Sequence, residues 1–462
     1  MCKSFLKGAV LLVTSALPAL AGCGGGLVPG SASAPVGGLL QQRDLVYLGA
    51  FRVPKGKYGA STKARSLAYG GESLSFNPAR NSLFILGHLD SEKMILEMTI
   101  PPVVKSNNLN DLKTAEVLQG SIDITGRLGY DKLAVGNKAV VNGGRPGSLM
   151  VYRDRLIGNA WAHYDGDNKA ANSHFTANLD WSSGPGFKGF YRVGKSPQAA
   201  SPSGGFVGGY LGLVPPEWQK SLGGPALTGL GGIPVITRSS FGPSASVFDP
   251  ADLGVLDPAP ATMLVGYPSS HRTLGSYDLG NLVYNSTSEV RGVAFPFGTG
   301  SVLFFGRHGL GADNFGAGSN YTGKTTYGPA TSNLREVGRR ASSFPNNCGS
   351  TIVAGGDVCS YDPADTSKGV HGYPYVYRVW AYDAAQLSKV RGGRIKPWEV
   401  VPYGVWNLTL PFAVPAARLL SATYDPATQR IYLSQQAGER SGQEPFPLVH
   451  VFEVRVPTGQ GK

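Results

Sequence analysis

A strand–turn–strand unit recurs along this chain, and a repeat of that kind limits the possible folds more than any other feature of the sequence. Residues 75–87, 294–306 and 423–433 are its clear copies, aligned without a gap. Each has an aromatic near the end of the first strand (Phe76, Phe295, Tyr424), a polar turn, and a returning strand of β-branched and aromatic residues such as Leu83-Phe84-Ile85 or Ile431-Tyr432-Leu433. Residues 148–158 form a tighter relative, and 246–250 reach 263–266 through a longer connection. A second element follows these hairpins at 94–101, 376–383 and 451–457, where side chains alternate as in half-exposed strands. The chain carries 65 glycines and 33 prolines yet is 42% hydrophobic, the combination that short buried strands joined by frequent turns require. No capped helical periodicity runs beyond about three turns.

A buried hairpin followed by an outer strand describes a propeller blade. The hairpin resembles that of bacterial β-propellers such as NHL-repeat proteins and lactonase-like enzymes, over about a dozen residues per blade; those enzymes' catalytic signatures are not found. The expectation is therefore an all-β chain folded as a β-propeller over residues 39–457. Seven blades are expected at about 45 to 60 residues each, with six or eight as variants. The alternative is a pair of β-sandwiches. The strand starting at Leu45 is expected to complete the last blade and hide its edge. Residues 306–372, rich in Gly, Asn and Ser, read as a loop insertion between a hairpin and its next strand, and 458–462 as a tail.

The N-terminus carries an address. Lys3 and Lys7 precede an apolar run from Gly8 to Leu20, too short to span a bilayer but suited to a secretory signal. It ends in Leu20-Ala21-Gly22-Cys23, which resembles the lipobox of bacterial lipoproteins. That resemblance implies a signal peptide over 1–22, acylation of Cys23 (palmitate among its lipids) and, with Gly24 rather than Asp following, the outer membrane. Residues 23–38, Gly/Ser/Pro-rich and uncharged, read as a flexible tether. Export leaves Cys348 and Cys359 as an even pair. A disulfide is the expected state, with a metal-binding pair or two free thiols as alternatives; closing so short a loop contributes at most about 3 kcal/mol. The formal charge of +12 suits nucleic acid, membrane surfaces or acidic polymers, and for an exported lipoprotein the last two, not nucleic acid, are the relevant partners.

Two motifs fail on context. Residues 318–325 match the P-loop pattern, but no strand feeds it and Pro329 denies it a helix, so no nucleotide is expected. Asp165-Gly166-Asp167-Asn168 lacks the later acidic ligand of a calcium loop and reads as a polar turn.

Geometry supplies the candidate site. In an antiparallel blade, the loop after the second strand and the loop before the first emerge on one face. His88, His163, His271 and His308 follow second strands, with Arg307 beside the last. Arg65, Arg145, Arg238, Arg291 and Arg418 precede first strands, and Asp90, Trp161 and Asp165 lie nearby. Any one of these is also what a solvated loop residue looks like. Together they would line one mouth with guanidinium groups suited to carboxylates, sulfates or phosphates. No cofactor is expected; a divalent metal on the histidines is the alternative. The aromatics of 373–380, with Trp398 and Trp406, read as core by their alternation, sugar stacking being the alternative use. The leading function is a binding or interaction module for an anionic glycan, envelope polymer or protein partner. Its rivals are a hydrolase or lyase acting on an acidic sugar or lactone through one of those histidines, and a scaffold without a ligand.

Overall fold

In the computed structural model, residues 38–457 are described, apart from 60–65, 88–92, 127, 141–142, 195–203, 235–238, 276–282, 312–313, 317–324, 329–334, 341–356, 362–363 and 365–368. Within 312–370 only backbone is described, Ala364 excepted. Cys23, Cys348, Arg65, His88, Asp90 and Arg238 lie outside the described residues, and the Cys359 side chain does too.

Strand β1 (Leu45–Arg52) comes first in the chain but belongs to the last sheet. Blade 1 is β2 (Leu74–Asn77), β3 (Ser82–Leu86), β4 (Ile95–Thr99) and β5 (Val117–Ile122). Blade 2 is β6 (Gly144–Tyr152), β7 (Arg155–Ala162), β8 (Asn172–Asn178) and β9 (Lys188–Arg192). Blade 3 is β10 (Tyr210–Leu213), β11 (Ala226–Gly229), β12 (Ala245–Phe248) and β13 (Ala261–Val265), with helix α1 (Pro216–Leu222) between its first two strands. Blade 4 opens with β14 (Glu289–Ala294) and β15 (Ser301–Gly309). An insertion follows, holding β16 (Asn314–Gly316), β17 (Thr325–Gly328), β18 (Arg335–Arg340), β19 (Asp357–Tyr361) and β20 (Gly369–His371). The blade resumes with β21 (Tyr375–Asp383), helix α2 (Ala384–Arg391) and β22 (Gly404–Leu408). Blade 5 is β23 (Leu419–Asp425), β24 (Arg430–Ser441) and β25 (Glu444–Val454), completed on its outside by β1.

These five antiparallel four-stranded sheets form a ring: β2, β6, β10, β14 and β23 contact one another in that cyclic order. The fold is an all-β propeller with five blades, which corrects the expected seven, and equally the six or eight. The count was high because each blade was sized as a hairpin plus one outer strand. The strands read at 94–101, 376–383 and 451–457 fall on β4, β21 and β25, which are third strands, mostly buried, with a fourth outside them. A fourth strand, long connections and two helices stretch a blade to about 80 residues. Four of the five inner hairpins lie where the repeat put them. The fifth does not: residues 246–250 and 263–266 belong to the third and fourth strands of blade 3, whose inner hairpin is β10 and β11.

The ring closes as expected. Leu45 to Arg52 pairs antiparallel with Val454 to Leu448, so the end of the chain is locked by its beginning. The insertion likewise separates β15 from β21, which pair directly from Ser301–Asp383 to Gly309–Tyr375, and it leaves on the face where inner strands begin. That face is called the mouth face below; the opposite one, where inner hairpins turn, is the turn face. Apolar clusters fill the spaces between neighbouring sheets, Trp218, Trp380, Tyr267, Tyr284 and Tyr382 between blades 3 and 4 being the bulkiest group. Tyr375, Tyr377 and Trp380 are buried, the core use expected for that run.

Candidate functional site

The mouth face carries a cluster of charge where blades 1, 4 and 5 meet. Glu289 opens β14, and its carboxylate takes Arg307 Nη2 at 2.7 Å, Arg291 Nη2 at 3.2 Å and Arg418 Nη2 at 3.6 Å. Local structure explains why three arginines reach one point. Arg307 is the ladder partner of Glu289 on β15. Arg291 has no partner, because the register shifts between Val290 and Gly292, and a bulge of this kind re-aims its extra residue. Arg418 immediately precedes β23, the neighbouring inner strand.

Burial sharpens the electrostatics. Arg307 is 4% exposed and its guanidinium lies 4.6 Å over the Tyr375 ring, a cation–π contact. Burial lowers the Arg291 pKa; Glu289 opposes that shift, Arg418 adds to it, and Glu72 at the entrance to β2 opposes it again. The group remains a cation at neutral pH. Arg378, on the third strand of blade 4, is buried as well and brought down to about 10 by desolvation. Arg291, Arg307 and Arg418 thus meet Glu289 at one partly dehydrated point of the mouth, with Glu72 close enough to act on Arg291. Anions are held more strongly in such a setting than by exposed lysines.

A hydrogen-bonded chain stiffens the blade 5 side. Gln435 donates to Tyr377 Oη at 2.8 Å and to the Phe412 carbonyl at 2.7 Å, while its Oε1 lies 2.6 Å from His450 Nε2. An amide oxygen only accepts, so His450 Nε2 carries the proton and Nδ1 accepts from Tyr47, 3.0 Å away on β1. Burial drives His450 down to about 3.

The expected site residues separate into groups. Arg291, Arg307 and Arg418 come together. Arg145 is half-buried on β6 opposite Trp161. Trp161 is buried and donates to the Pro146 carbonyl at 3.2 Å, with the His163 ring edge-on 5.9 Å away. Asp165 accepts from the backbone of Lys169 and Ala170, the polar turn expected of it. His308 lies inside β15, bonded to Ser288 at 2.8 Å, and desolvation followed by the Arg378 charge pushes it to about 3. His271 follows the fourth strand of blade 3, not the second, and stacks on Trp398 at 4.1 Å. The histidines therefore sit in three separate settings, and among the described residues no three His, Cys, Asp or Glu side chains are grouped to hold a metal. Sequence reasoning missed Glu289, Glu72 and Arg378. The one signal available for Glu289 was its place two residues before Arg291.

At the turn face the axis opens into a small cavity of about 80 Å³, to which every inner strand contributes, through Phe76, Met150, Leu211, Val293 and Tyr424 among others. No helix among the described residues is long and apolar enough to cross a membrane.

No protein-family model matches the chain, and no curated protein matches its sequence. Among solved structures, a luciferin-regenerating enzyme is similar over 88% of this chain and 95% of its own, at 8% identity and a TM-score of 0.33. The propeller assignment rests on the five sheets themselves.

Proposed function

We propose that this chain is a propeller binding module, anchored in the cell envelope through lipid on Cys23, whose mouth face holds an anionic group of a glycan, envelope polymer or protein. One observation carries the reading: Arg291, Arg307 and Arg418 are gathered by folding at a single carboxylate. Guanidinium groups brought together at a half-buried point bear a mutual repulsion. An incoming carboxylate, sulfate or phosphate relieves it. The hydrolase or lyase reading draws no comparable support, since its three described histidines are divided between a stacked surface position, a tryptophan edge and a buried neutral site.

The test is an array of carboxylated, sulfated and phosphorylated glycans, followed by titration calorimetry on whatever binds. Arg291→Ala and Arg418→Ala are expected to lower affinity roughly tenfold or more each, as lost charge-assisted hydrogen bonds do. Unchanged affinity in both variants would sink the site. Intact-mass measurement of the protein from membranes reads the acylation of Cys23 independently.

A further inference from the structure

Five exposed cations gather on the face where the chain enters the fold. Helices α1 and α2 follow β10 and β21, both of which end at the turn face, and the two helices pack together between blades 3 and 4. Lys220 lies in the last turn of α1 and Lys389 and Arg391 in the last turn of α2; Arg394 and Lys396 follow on the next segment. All five are exposed. Arg391 reaches back to Gly223, the cap of α1, so closely that a Cβ there would sit 2.5 Å from its Nε. The two helix ends thus form one surface. A helix dipole favours cations in its last turn, which accounts for Lys220, Lys389 and Arg391 one at a time. Arg394 and Lys396 lie beyond the helices and need another reason. The nearby carboxylates are engaged elsewhere: Glu217 accepts from the Gly298 amide at 2.7 Å and Glu399 from the Lys396 amide at 2.6 Å.

Gly38, the first described residue, is fixed on the same face, at the start of α2, one helix length from these cations. Its carbonyl accepts from Gly300 N at 3.1 Å, and the Gly300 carbonyl accepts from Ala384 N, the first residue of α2, at 2.8 Å. Trp218 of α1 donates to the adjoining Thr299 carbonyl at 2.8 Å. The chain therefore enters the fold on the turn face that carries the α1–α2 corner, at the far end of β14 from Glu289 and Arg291.

We propose that the α1–α2 corner docks on an anionic phospholipid surface, headgroup phosphates being its ligand. The proposal deepens the anchored reading: a flexible tether of about 15 residues spans only about 20 Å, so lipid on Cys23 would keep this corner at the bilayer and point the arginine mouth away from it. The experiment is flotation of the full-length protein with vesicles of phosphatidylcholine alone or mixed with phosphatidylglycerol, beside the triple variant Lys389→Glu/Arg391→Glu/Arg394→Glu. Matching melting curves establish that the variant is folded. Wild type is expected to favour the phosphatidylglycerol vesicles roughly tenfold or more, and the variant to lose that preference, since each basic residue near such a surface counts for a several-fold change. Molar salt should erase the difference. Equal flotation of wild type with both vesicle types, or a preference that survives the charge reversal, overturns the proposal. Acylation is read separately by mass: a lipidated protein without the preference sinks the docking surface alone, and a preference without acyl mass sinks the anchor alone.

Discussion

Arg307 and Glu289 are ladder partners across the first two strands of blade 4, and the guanidinium meets the carboxylate at 2.7 Å while lying over Tyr375. The pair is fixed by sheet register, so it forms with the hairpin and needs no ligand. Arg291 and Arg418 then join it from a bulge and from the neighbouring blade. Glu289 is thus the carboxylate on which the three guanidinium groups converge.

Replacing that carboxylate is the sharpest test of the arrangement. Glu289→Gln keeps the shape but removes the charge on which three guanidinium groups converge, and a loss of about 2–4 kcal/mol in urea unfolding is expected. Sulfate should then raise the midpoint of the variant more than that of wild type, because the variant alone has gained an unfilled anion position. A variant as stable as the parent, or one indifferent to sulfate, would show that the cluster is not an anion site.

Acid should destabilise the protein well before its carboxylates titrate. His174, His308 and His450 are each driven by burial to about 3 in the folded state, against an ordinary value of 6.5. The unfolded chain binds these protons first, so the stability is fully present above pH 6.5 and is lost as pH falls from there toward 3. Each histidine contributes a slope of up to about 1.4 kcal/mol per pH unit in that window. Urea midpoints measured between pH 7 and 4.5 should fall steeply, and His450→Gln should show a shallower fall. A flat profile over that range is the contrary result.

The loops at the mouth were legible where chemistry follows chain order. Arg291 and Arg418 were found because an arginine at or just ahead of the start of an inner strand lies towards that face. Glu289 escaped because its role depends on a register shift that leaves Arg291 unpaired, and no pattern of letters announces a bulge. Blade 3 was misread for a related reason: α1 interrupts its inner hairpin, so Tyr210–Leu213 and Ala226–Gly229 do not read as strand, turn and strand, whereas the outer hairpin does. Closure by β1 was readable, since a lone alternating strand at the start of a ring has one edge to cover.

Ring closure itself puts a strong demand on the packing of β1. Phe51 is wholly buried in the cluster that joins β1 to blades 1 and 5. Phe51→Ala is expected to lower stability by about 3–5 kcal/mol, and hydrogen exchange should show β25 opening along with β1. Loss confined to β1 would mean that the last blade stands without its closing strand.

A ring of five places its inner strands closer to the axis than a larger ring would, and glycines sit where those strands meet. A Cβ on Gly292 of β14 would lie 2.6 Å from the backbone nitrogen of Ala422 on β23; one on Gly212 of β10 would lie 2.9 Å from Val293 on β14. One on Gly147 of β6 would lie 1.9 Å from the Gly208 carbonyl just ahead of β10. Close approach of backbones, not turn geometry, is what these positions require. Gly292→Ala should therefore cost about 2–3 kcal/mol, as overpacking does, with the strand pushed outward beside Arg291. Ala422→Gly in the same chain should recover part of the loss, because the Ala422 methyl is the other nearest atom, 2.5 Å from the added carbon. The two substitutions in a double-mutant cycle would then couple by more than the usual error of about 0.5 kcal/mol. Strict additivity would mean that the ring has slack at the axis, and that something other than these glycines sets its number of blades.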